Sequence, residues 1–222
     1  MQPLPSRLLS KPQRSGCTDD NVCIKNDTTN VLVENIVFKN GHGATIGSVP
    51  DGNGLRGYIS NVTFRNITME GNAPVKIKSW PNTTGEVSNI LYEDVTLLGA
   101  DTAIDVGTFA PCKWCHPLGP TKDKCRSVPF VGPPVDWGGA CSQTENQISM
   151  VNITFRRFRG TVKAPGMIRC REVNPCLFNF EDVNISTSQP WICGNMNASI
   201  KGAMLPPLPR GGCAVGPRPK GG

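Results

Sequence analysis

Ile59-Ser60-Asn61-Val62-Thr63-Phe64 has the same pattern as Val87-Ser88-Asn89-Ile90-Leu91-Tyr92 and as Met150-Val151-Asn152-Ile153-Thr154-Phe155. A related segment, Val31-Leu32-Val33-Glu34-Asn35-Ile36-Val37-Phe38, precedes them, and a looser copy surrounds Phe180. The aromatic residues at positions 38, 64, 92, 155 and 180 are separated by 26, 28, 63 and 25 residues. One interval is much longer than the others, which indicates either an enlarged repeat or an additional repeat.

A second series of short apolar segments runs in step with the first. Its members are centred on Ile24, Ile46, Ile77, Ile104, Ile168 and Ile192. Apolar and polar residues alternate within these segments, which predicts strands with one buried face. A period in the twenties with two or three short strands per repeat is typical of an all-β solenoid. We therefore predict a right-handed parallel β-helix, with a β-sandwich of regularly spaced strands as the alternative.

Composition limits the classes of partner. The 222 residues are 38% apolar, enough for one sizeable core, and 23 basic and 17 acidic side chains give a formal charge of +6. The densest basic cluster, Arg156-Arg157-Phe158-Arg159, is small and is interpreted as a solvated strand edge rather than a binding patch. No segment is long enough to span a membrane. We therefore expect a monomer with no nucleic-acid or membrane partner.

Cysteines and glycosylation signals point to an oxidising compartment. The chain has 10 cysteines, and its Asn-x-Ser/Thr sequons lie at Asn26, Asn61, Asn66, Asn82, Asn152, Asn184 and Asn197. This combination favours a secreted glycoprotein. The first 13 residues contain prolines and basic residues without the continuous apolar core of a signal peptide. We therefore expect the natural start to lie upstream.

Three polar motifs accompany the predicted strands. They are Thr18-Asp19-Asp20-Asn21, Asn40-Gly41-His42-Gly43 and Val75-Lys76-Ile77-Lys78. On consecutive coils of a solenoid, these motifs would meet in one cleft. Adjacent residues of a regular strand point to opposite faces, so Asp19 and Asp20 can share that cleft only at a strand end or a bulge. Carboxylates can protonate a leaving group and activate water, while cations and an imidazole can hold an acidic sugar chain.

In this order, the motifs resemble glycoside hydrolase family 28, the pectin-degrading polygalacturonases and their relatives. The segment Gly41-His42-Gly43-Ala44-Thr45-Ile46-Gly47-Ser48 is similar to the histidine motif of that family. The resemblance extends from about Cys17 to Thr108, and the later coils follow by pattern only. It implies inverting hydrolysis of α-1,4 bonds between galacturonic acid units, with pectic polysaccharide as the partner. No cofactor and no metal are expected.

The resemblance also implies a role for each site residue. Asp19 would be the general acid that protonates the glycosidic oxygen, and Asp20 would help to activate the attacking water. His42 would sustain the proton balance or the geometry near the acid. Lys78 would hold the substrate carboxylate as a point charge. Lys76 stands where the family usually has arginine, which costs the bidentate grip on a carboxylate.

The chain departs from the family at its catalytic carboxylates. The family has a third aspartate in an Asn-Thr-Asp motif on the preceding coil, and the 222 residues contain no such motif. We therefore expect cleavage by this chain to be weak or absent. The alternative function is a non-catalytic carbohydrate-binding β-helix. A lyase would need an acidic calcium cluster, which the sequence does not show.

Two further departures concern a disulfide and an aromatic residue. Asn21 replaces the cysteine that commonly follows the Asp pair, and Phe38 stands at the place of its usual partner. Cys17 and Cys23 could close a short loop across the Asp pair instead. Phe109 is the nearest candidate for the tyrosine that the family places after the lysine motif, and a phenyl ring cannot donate a hydrogen bond.

The domain boundaries follow from composition. Residues 1–15 are expected to lie outside the fold, residues 16–203 to form the β-helix, and residues 204–222 to be an extended Pro/Gly-rich tail. A loop at about 109–147 contains Cys112, Cys115, Cys125 and Cys141. Its Cys112-Lys113-Trp114-Cys115-His116 segment matches c-type haem attachment, and its cysteines could bind zinc, but a disulfide-stapled loop is favoured. Cys170, Cys176, Cys193 and Cys213 would likewise staple the last coils.

Overall fold

The computed structural model describes residues 6–9, 14–16, 19–50, 56–72, 74–79, 83–107, 147–170 and 175–209. These segments form strands and turns. The strands are β1 (Ser6–Leu9), β2 (Arg14–Gly16), β3 (Val22–Ile24), β4 (Thr28–Lys39), β5 (Ala44–Val49), β6 (Arg56–Glu70), β7 (Val75–Ser79), β8 (Thr84–Gly107), β9 (Gln147–Arg169), β10 (Cys176–Ser186), β11 (Ile192–Gly194) and β12 (Met196–Leu205). In these ranges, no helix long and apolar enough to cross a membrane is found.

Parallel pairing stacks the strands as successive coils. One series runs from β4 through β6, β8, β9 and β10 to β12, and a second runs from β3 through β5, β7 and β8 to β9 and β11. A strand pairs with the strand one coil away along the stack, and each coil covers the apolar side of the previous one. The predicted right-handed parallel β-helix is confirmed. The parallel pairing excludes the β-sandwich, whose sheets are antiparallel.

An aromatic stack fills the interior. Register places Phe64 beside Tyr92, Tyr92 beside Phe155, and Phe155 beside Phe180. The ring centroids of these pairs are 4.9, 5.7 and 5.3 Å apart, and all four side chains are fully buried. Stacked aromatic pairs stabilise the fold beyond the contribution of their buried apolar area.

Phe38 does not belong to this stack, so that part of the predicted series is wrong. Val33 is the residue that aligns with Phe64, whereas Phe38 aligns with Met69. Both Val33 and Phe38 are buried, on either side of Asn35, whose φ of 61° turns the chain. Because β4 contributes buried residues to both sides of this corner, the apolar pattern alone could not decide which of them continues the stack.

All six isoleucines of the second series lie on strands, as predicted, but only Ile24, Ile46, Ile77 and Ile168 share one register row. Register places Val106, not Ile104, between Ile77 and Ile168, and Ile104 aligns with Val75. Ile192 aligns with Met167. Ile104 is two residues from Val106, and a slip of two residues keeps the same face of a strand buried, so alternation does not reveal it. Ile192 is one residue from Cys193, the neighbour of Ile168, and all three residues of β11 are only partly buried, so burial gives no alternating pattern there.

The long interval between Tyr92 and Phe155 is one enlarged coil. The two residues are direct neighbours, and β8 pairs with β9 along most of its length. No additional coil therefore separates them. The predicted loop at about 109–147, with its haem-like or zinc-like cysteine pattern, lies outside the described residues except for Gln147 at the start of β9.

The two ends of the β-helix differ from the expected boundaries. Segments β1 and β2 both pair in parallel with β4, although residues 1–15 were expected to lie outside the fold. Met204 and Leu205 complete β12 rather than belonging to an extended tail, and residues 207–209 have no regular structure. Residues 210–222 are outside the described part of the chain.

Asparagine ladders hold the corners of the coils in register. The Nδ2 group of Asn61 donates to Asn30 Oδ1 at 3.2 Å, and that of Asn66 donates to Asn35 Oδ1 at 2.7 Å. All four residues have φ between 50° and 61°, a left-handed conformation that asparagine adopts more readily than most residues. The sequons at Asn61 and Asn66 thus also have a structural role at the corners.

The basic cluster at Arg156-Arg157-Phe158-Arg159 takes part in an ion-pair network that crosses several coils. Glu93 lies 3.0 Å from Arg65, 3.0 Å from Arg156 and 2.7 Å from Arg157. Arg156 also pairs with Glu181 at 2.6 Å. Burial raises the pKa of the Glu93 carboxyl, but hydrogen bonds from the three arginines outweigh burial and lower it. These arginines therefore have carboxylate partners within the protein.

A disulfide between Cys170 and Cys176 joins β9 to β10 at the end of the stack. Cys193 is also disulfide-bonded. The prediction that disulfides staple the last coils is thus confirmed for Cys170, Cys176 and Cys193, while Cys213 lies outside the described residues.

We predict that Glu93→Gln lowers the free energy of unfolding by about 1–3 kcal/mol, because three arginines lose their shared anion. The pKa of Glu93 is lower in the folded chain than in the unfolded chain. The stabilisation that Glu93 contributes to folding is therefore fully present above its ordinary pKa of 4.5. It is lost as the pH falls below 4.5 and through the lower pKa of the folded state. Urea unfolding between pH 7 and pH 3 measures this. Asp101→Asn, which breaks an exposed pair with Lys163, is the control. Equal pH dependence in both variants would contradict the prediction.

We predict that Tyr92→Phe is neutral or stabilising by up to about 2 kcal/mol. The Tyr92 hydroxyl is buried inside the stack and has no hydrogen-bond partner within the part of the chain that the structure describes. Removing a buried polar group of this kind removes its desolvation cost. Thermal unfolding of the two proteins is the measurement, and a clear fall in stability would show that the hydroxyl has a favourable contact.

Candidate active site

The Asp pair lies immediately before a strand. Asp19 and Asp20 precede β3, which begins at Val22, and the N–H of Asp20 donates to Asp19 Oδ1 at 2.8 Å. The Asp19 side chain is 81% exposed, whereas that of Asp20 is 13% exposed. Because the pair lies before the strand rather than within it, both carboxylates can reach the same side of the stack.

A glycine-flanked turn presents His42 to the Asp pair. Gly41 and Gly43 have φ of 73° and 62°, which glycine adopts without steric cost. The N–H of His42 donates to the carbonyl of Asp19 at 3.0 Å, and the N–H of Gly43 donates to Asn21 Oδ1 at 2.8 Å. These bonds tie the turn to the coil that contains the Asp pair. Asn21 thereby makes a cross-coil contact at the position where the family commonly has a cysteine.

The His42 ring contacts both carboxylates. Its Nδ1 lies 3.1 Å from Asp20 Oδ1 and 3.2 Å from Asp19 Oδ1. A proton on Nδ1 can be donated to either oxygen, and the ring itself is partly exposed, with 27% of its side-chain surface accessible. His42 is thus placed to exchange a proton with Asp19 or to orient it.

Lys78 and Thr45 stabilise the anionic form of Asp20. Lys78 Nζ donates to Asp20 Oδ2 at 2.8 Å, and the Thr45 hydroxyl lies 3.0 Å from Asp20 Oδ1. Burial by itself raises the pKa of the Asp20 carboxyl, but the hydrogen bond and charge of Lys78 and the hydrogen bond of Thr45 outweigh burial and lower it. Asp20 is therefore a carboxylate at neutral pH, beside the exposed Asp19.

Lys76 lies on the same face as Lys78 but pairs elsewhere. Its Nζ is 3.3 Å from Asp105 Oδ2, and Asp105 is its register neighbour on β8. The structure thus brings Asp19, Asp20, His42 and Lys78 into direct contact, while Lys76 lies one step aside. Phe109, the candidate aromatic residue, is outside the described residues.

Cys23 is a free thiol at the edge of this site, so the suggested bridge to Cys17 is wrong. Its Sγ donates to the carbonyl of Gly47 at 2.7 Å. Burial and the negative charge of Asp20 raise the pKa of the Cys23 thiol to about 11. Since the thiolate is the reactive form, Cys23 is inert at neutral pH.

Sequence reasoning did not single out Thr45, Asp105 or Arg169, which also face the cleft side of the stack. Thr45 occupies the register position of Cys23 and Lys76, and Asp105 continues that row. Arg169 continues the row of Lys78. Only the alignment of strands between coils identifies these residues as members of the site. Thr45 lies within the quoted histidine motif, whereas Asp105 and Arg169 belong to no polar motif.

Asp19, Asp20 and His42 each offer one ligand atom within 4.8 Å of the others, as a metal site would require. However, Lys78 already supplies a positive charge to Asp20 at 2.8 Å. The geometry is that of an acid–base cluster compensated by an ammonium group.

The family model of glycosyl hydrolases family 28 matches residues 14–125, half of the chain. The chain belongs to this family. The matched region contains the Asp pair, the histidine turn and the lysine strand, which confirms the resemblance read from the motifs. Family membership also agrees with the parallel β-helix.

Individual relatives are similar over most of this chain. An exopolygalacturonase, rpg15, of Rhizopus delemar is 30% identical over 71% of this chain and 37% of its own length. A polygalacturonase of Brassica napus is 27% identical over 85% of this chain and 44% of its own length. The chain thus spans less than half the length of these relatives. The crystal structure of endo-xylogalacturonan hydrolase from Aspergillus tubingensis superposes with a TM-score of 0.61 at 19% identity, covering 83% of this chain and 48% of that one. This structural similarity supports the parallel β-helix fold of the chain.

We predict that Lys78→Met raises the pKa of the Asp20 carboxyl above its ordinary value of 3.8, because burial remains when the cation is lost. Carbon-detected NMR titration of the aspartate carboxyl signals measures this. Lys163→Met, which removes an exposed ammonium group paired with Asp101, should leave the Asp20 titration unchanged. An unchanged pKa in Lys78→Met would show that Lys78 does not stabilise the anion.

Proposed function

We propose that this chain hydrolyses α-1,4 bonds of polygalacturonate with the cleft formed by Asp19, Asp20, His42 and Lys78. The observation that carries the proposal is the convergence of three separate coils on one Asp20 carboxylate, through His42 at 3.1 Å and Lys78 at 2.8 Å. Polygalacturonase relatives from a fungus and a plant support pectic polysaccharide as the substrate class.

The two carboxylates are suited to different tasks. Asp19 is the exposed member and can reach a glycosidic oxygen, so we assign it as the general acid that donates the proton to the leaving group. Asp20 stays ionised beside Lys78 and Thr45, so we assign it to activating the water that attacks the anomeric carbon. The water proton passes to the base as the C–O bond to the leaving sugar breaks. An α-linked unit attacked from the opposite face gives a β-anomer.

His42 and the lysines have supporting roles in this scheme. His42 lies within hydrogen-bond distance of both carboxylates and can return a proton to Asp19 after each cycle. Lys78 carries a charge that can also hold a substrate carboxylate. Lys76, paired with Asp105 at 3.3 Å, offers a second and weaker contact to the same anionic chain.

The distance between the Asp19 and Asp20 carboxylates affects the expected rate of hydrolysis. One carboxylate oxygen of Asp19 lies within 4.8 Å of one of Asp20. Inverting enzymes usually hold the acid and base carboxyl groups roughly 6.5–9.5 Å apart, with room for a water between them. The Asn-Thr-Asp motif that supplies the family's third aspartate does not occur in these 222 residues. We therefore propose slow turnover for this chain. A non-catalytic pectin-binding β-helix is the second candidate, which this same absence favours.

The disulfide and the glycosylation signals indicate the cellular compartment of the protein. The disulfide between Cys170 and Cys176 and the sequons at exposed positions such as Asn184 support an extracellular glycoprotein. A polysaccharide of the cell wall is accessible to such a protein. We also propose that the β-helix is the single folded unit of the chain.

We predict that Asp19→Asn and Asp20→Asn each reduce release of reducing ends from polygalacturonate by about 10²–10⁴-fold, the usual contribution of a positioned acid or base. Asp101→Asn, an equal change of charge at an exposed pair, should retain the wild-type rate. Proton NMR of the fresh product should show the β-anomer first.

Background release by the wild type, equal to that of both variants, would exclude hydrolysis by this chain. Calorimetric binding of oligogalacturonate under the same conditions would then support the non-catalytic candidate. An unsaturated product absorbing in the ultraviolet would indicate a lyase.

A further inference from the structure

A second long cationic side chain, that of Arg169, lies on the same face as Lys78, in the same register row and two strands away. Register pairs Lys78 with Gly107, and Gly107 with Arg169. In a parallel sheet, residues in register project to the same side, and the neighbouring Ile77, Val106 and Ile168 are all buried. Lys78 and Arg169 therefore both point outward, with backbones about 10 Å apart, two strand spacings.

In the register row that contains these two cations, Gly107 contributes no side chain, and we call this gap in the row the notch. Because glycine has no side chain, nothing of residue 107 fills the space between the side chains on either side. The flexible chains of lysine and arginine can converge on one acceptor over such a gap. Arg169 is partly buried, which places its guanidinium against the surface of the stack rather than freely in solvent.

Asp105 is a negatively charged residue near the notch. Its carboxylate lies 3.3 Å from Lys76 Nζ, and its negative charge also acts on Arg169. Asp105 thus partly balances the positive charge of Lys76 and Arg169. On the side of β7 that faces away from Gly107, Lys78 is paired with Asp20 at 2.8 Å. A carboxylate above Gly107 would meet the planar guanidinium of Arg169 on one side, and the flexible Lys78 side chain can turn toward it from the other.

We propose that Arg169 is a specificity-determining residue that, together with Lys78, binds the carboxylate of a uronic acid unit above Gly107. The proposal rests on the proposed function, since it names a contact for the same polyanionic substrate. Arginine presents its donors in a fork that matches a carboxylate bidentately, which lysine cannot do. Arg169 on β9 would therefore supply the bidentate contact to a carboxylate that the family's usual arginine can make and that Lys76 cannot. A methyl-esterified unit would not benefit from it.

The test is isothermal titration calorimetry with a galacturonic acid oligomer and with its methyl ester. Arg169→Gln should weaken binding of the acid oligomer by about tenfold or more, as expected for a lost charge-assisted contact. Arg169→Lys should bind with intermediate affinity. Arg159→Gln removes the same charge from an exposed position on the same strand and should bind like the wild type. Binding of the methyl ester should be the same for Arg169→Gln and the wild type.

Gly107→Asp is the second variant, used if Arg169→Gln does not show a cooperative thermal transition. Its carboxylate would occupy the notch and compete with the substrate, so the acid oligomer should again bind about tenfold more weakly. Acid-oligomer affinity within twofold of the wild type in whichever of these variants is folded would overturn the proposal. A tenfold loss in Arg159→Gln would also overturn it, since the effect would then be general electrostatics.

The outcomes separate this proposal from hydrolysis itself. If the wild type binds the acid oligomer without releasing reducing ends, the proposed hydrolysis fails, while a tenfold loss in Arg169→Gln still supports the role of Arg169. If the wild type binds no acid oligomer, both the substrate class and this proposal fail.

Discussion

In-register parallel pairing between coils determines where each functional side chain lies. Residues that are 22 to 58 positions apart in the chain meet because β3, β5 and β7 align residue by residue. The Asp pair, the histidine turn and the lysine strand therefore form one site. The buried rows behind these strands hold the register, since a slip of one residue would expose their apolar side chains to water.

The site depends on a balance between burial and charge at Asp20. Removing a carboxylate from water disfavours its ionised form, and close contacts with Lys78 and Thr45 outweigh that cost. Asp19, one residue away, remains largely exposed. Two neighbouring aspartates thus experience different surroundings, which is the usual way in which one protein assigns different tasks to chemically identical groups.

Much of the fold and of the central site followed from the sequence, and the limits have physical causes. The motifs containing Asp19, Asp20, His42 and Lys78 could be found because turns and strand ends leave local signatures. Phe38 was misplaced because β4 buries residues on both sides of the corner at Asn35, and Ile192 because the three-residue strand β11 is too short to show a pattern. Ile104 was misplaced because alternation repeats every two residues and so does not specify register.

Asp105 and Arg169 were missed for the same reason. Each is a polar residue on an otherwise ordinary strand, and only the alignment of β7, β8 and β9 brings them beside Lys76 and Lys78. The pairing of β1 and β2 with β4 was equally hidden, since these short segments have little pattern of their own.

The central claim is that stacked coils form one cleft that binds an acidic sugar chain at Asp20 and Lys78. A crystal structure of the Asp19→Asn variant with a galacturonic acid oligomer tests it most directly. The account predicts sugar density across the outer face of β3, β5 and β7, with a uronic carboxylate in contact with Lys78. An ordered oligomer on another face of the β-helix, with this cleft vacant, would contradict it.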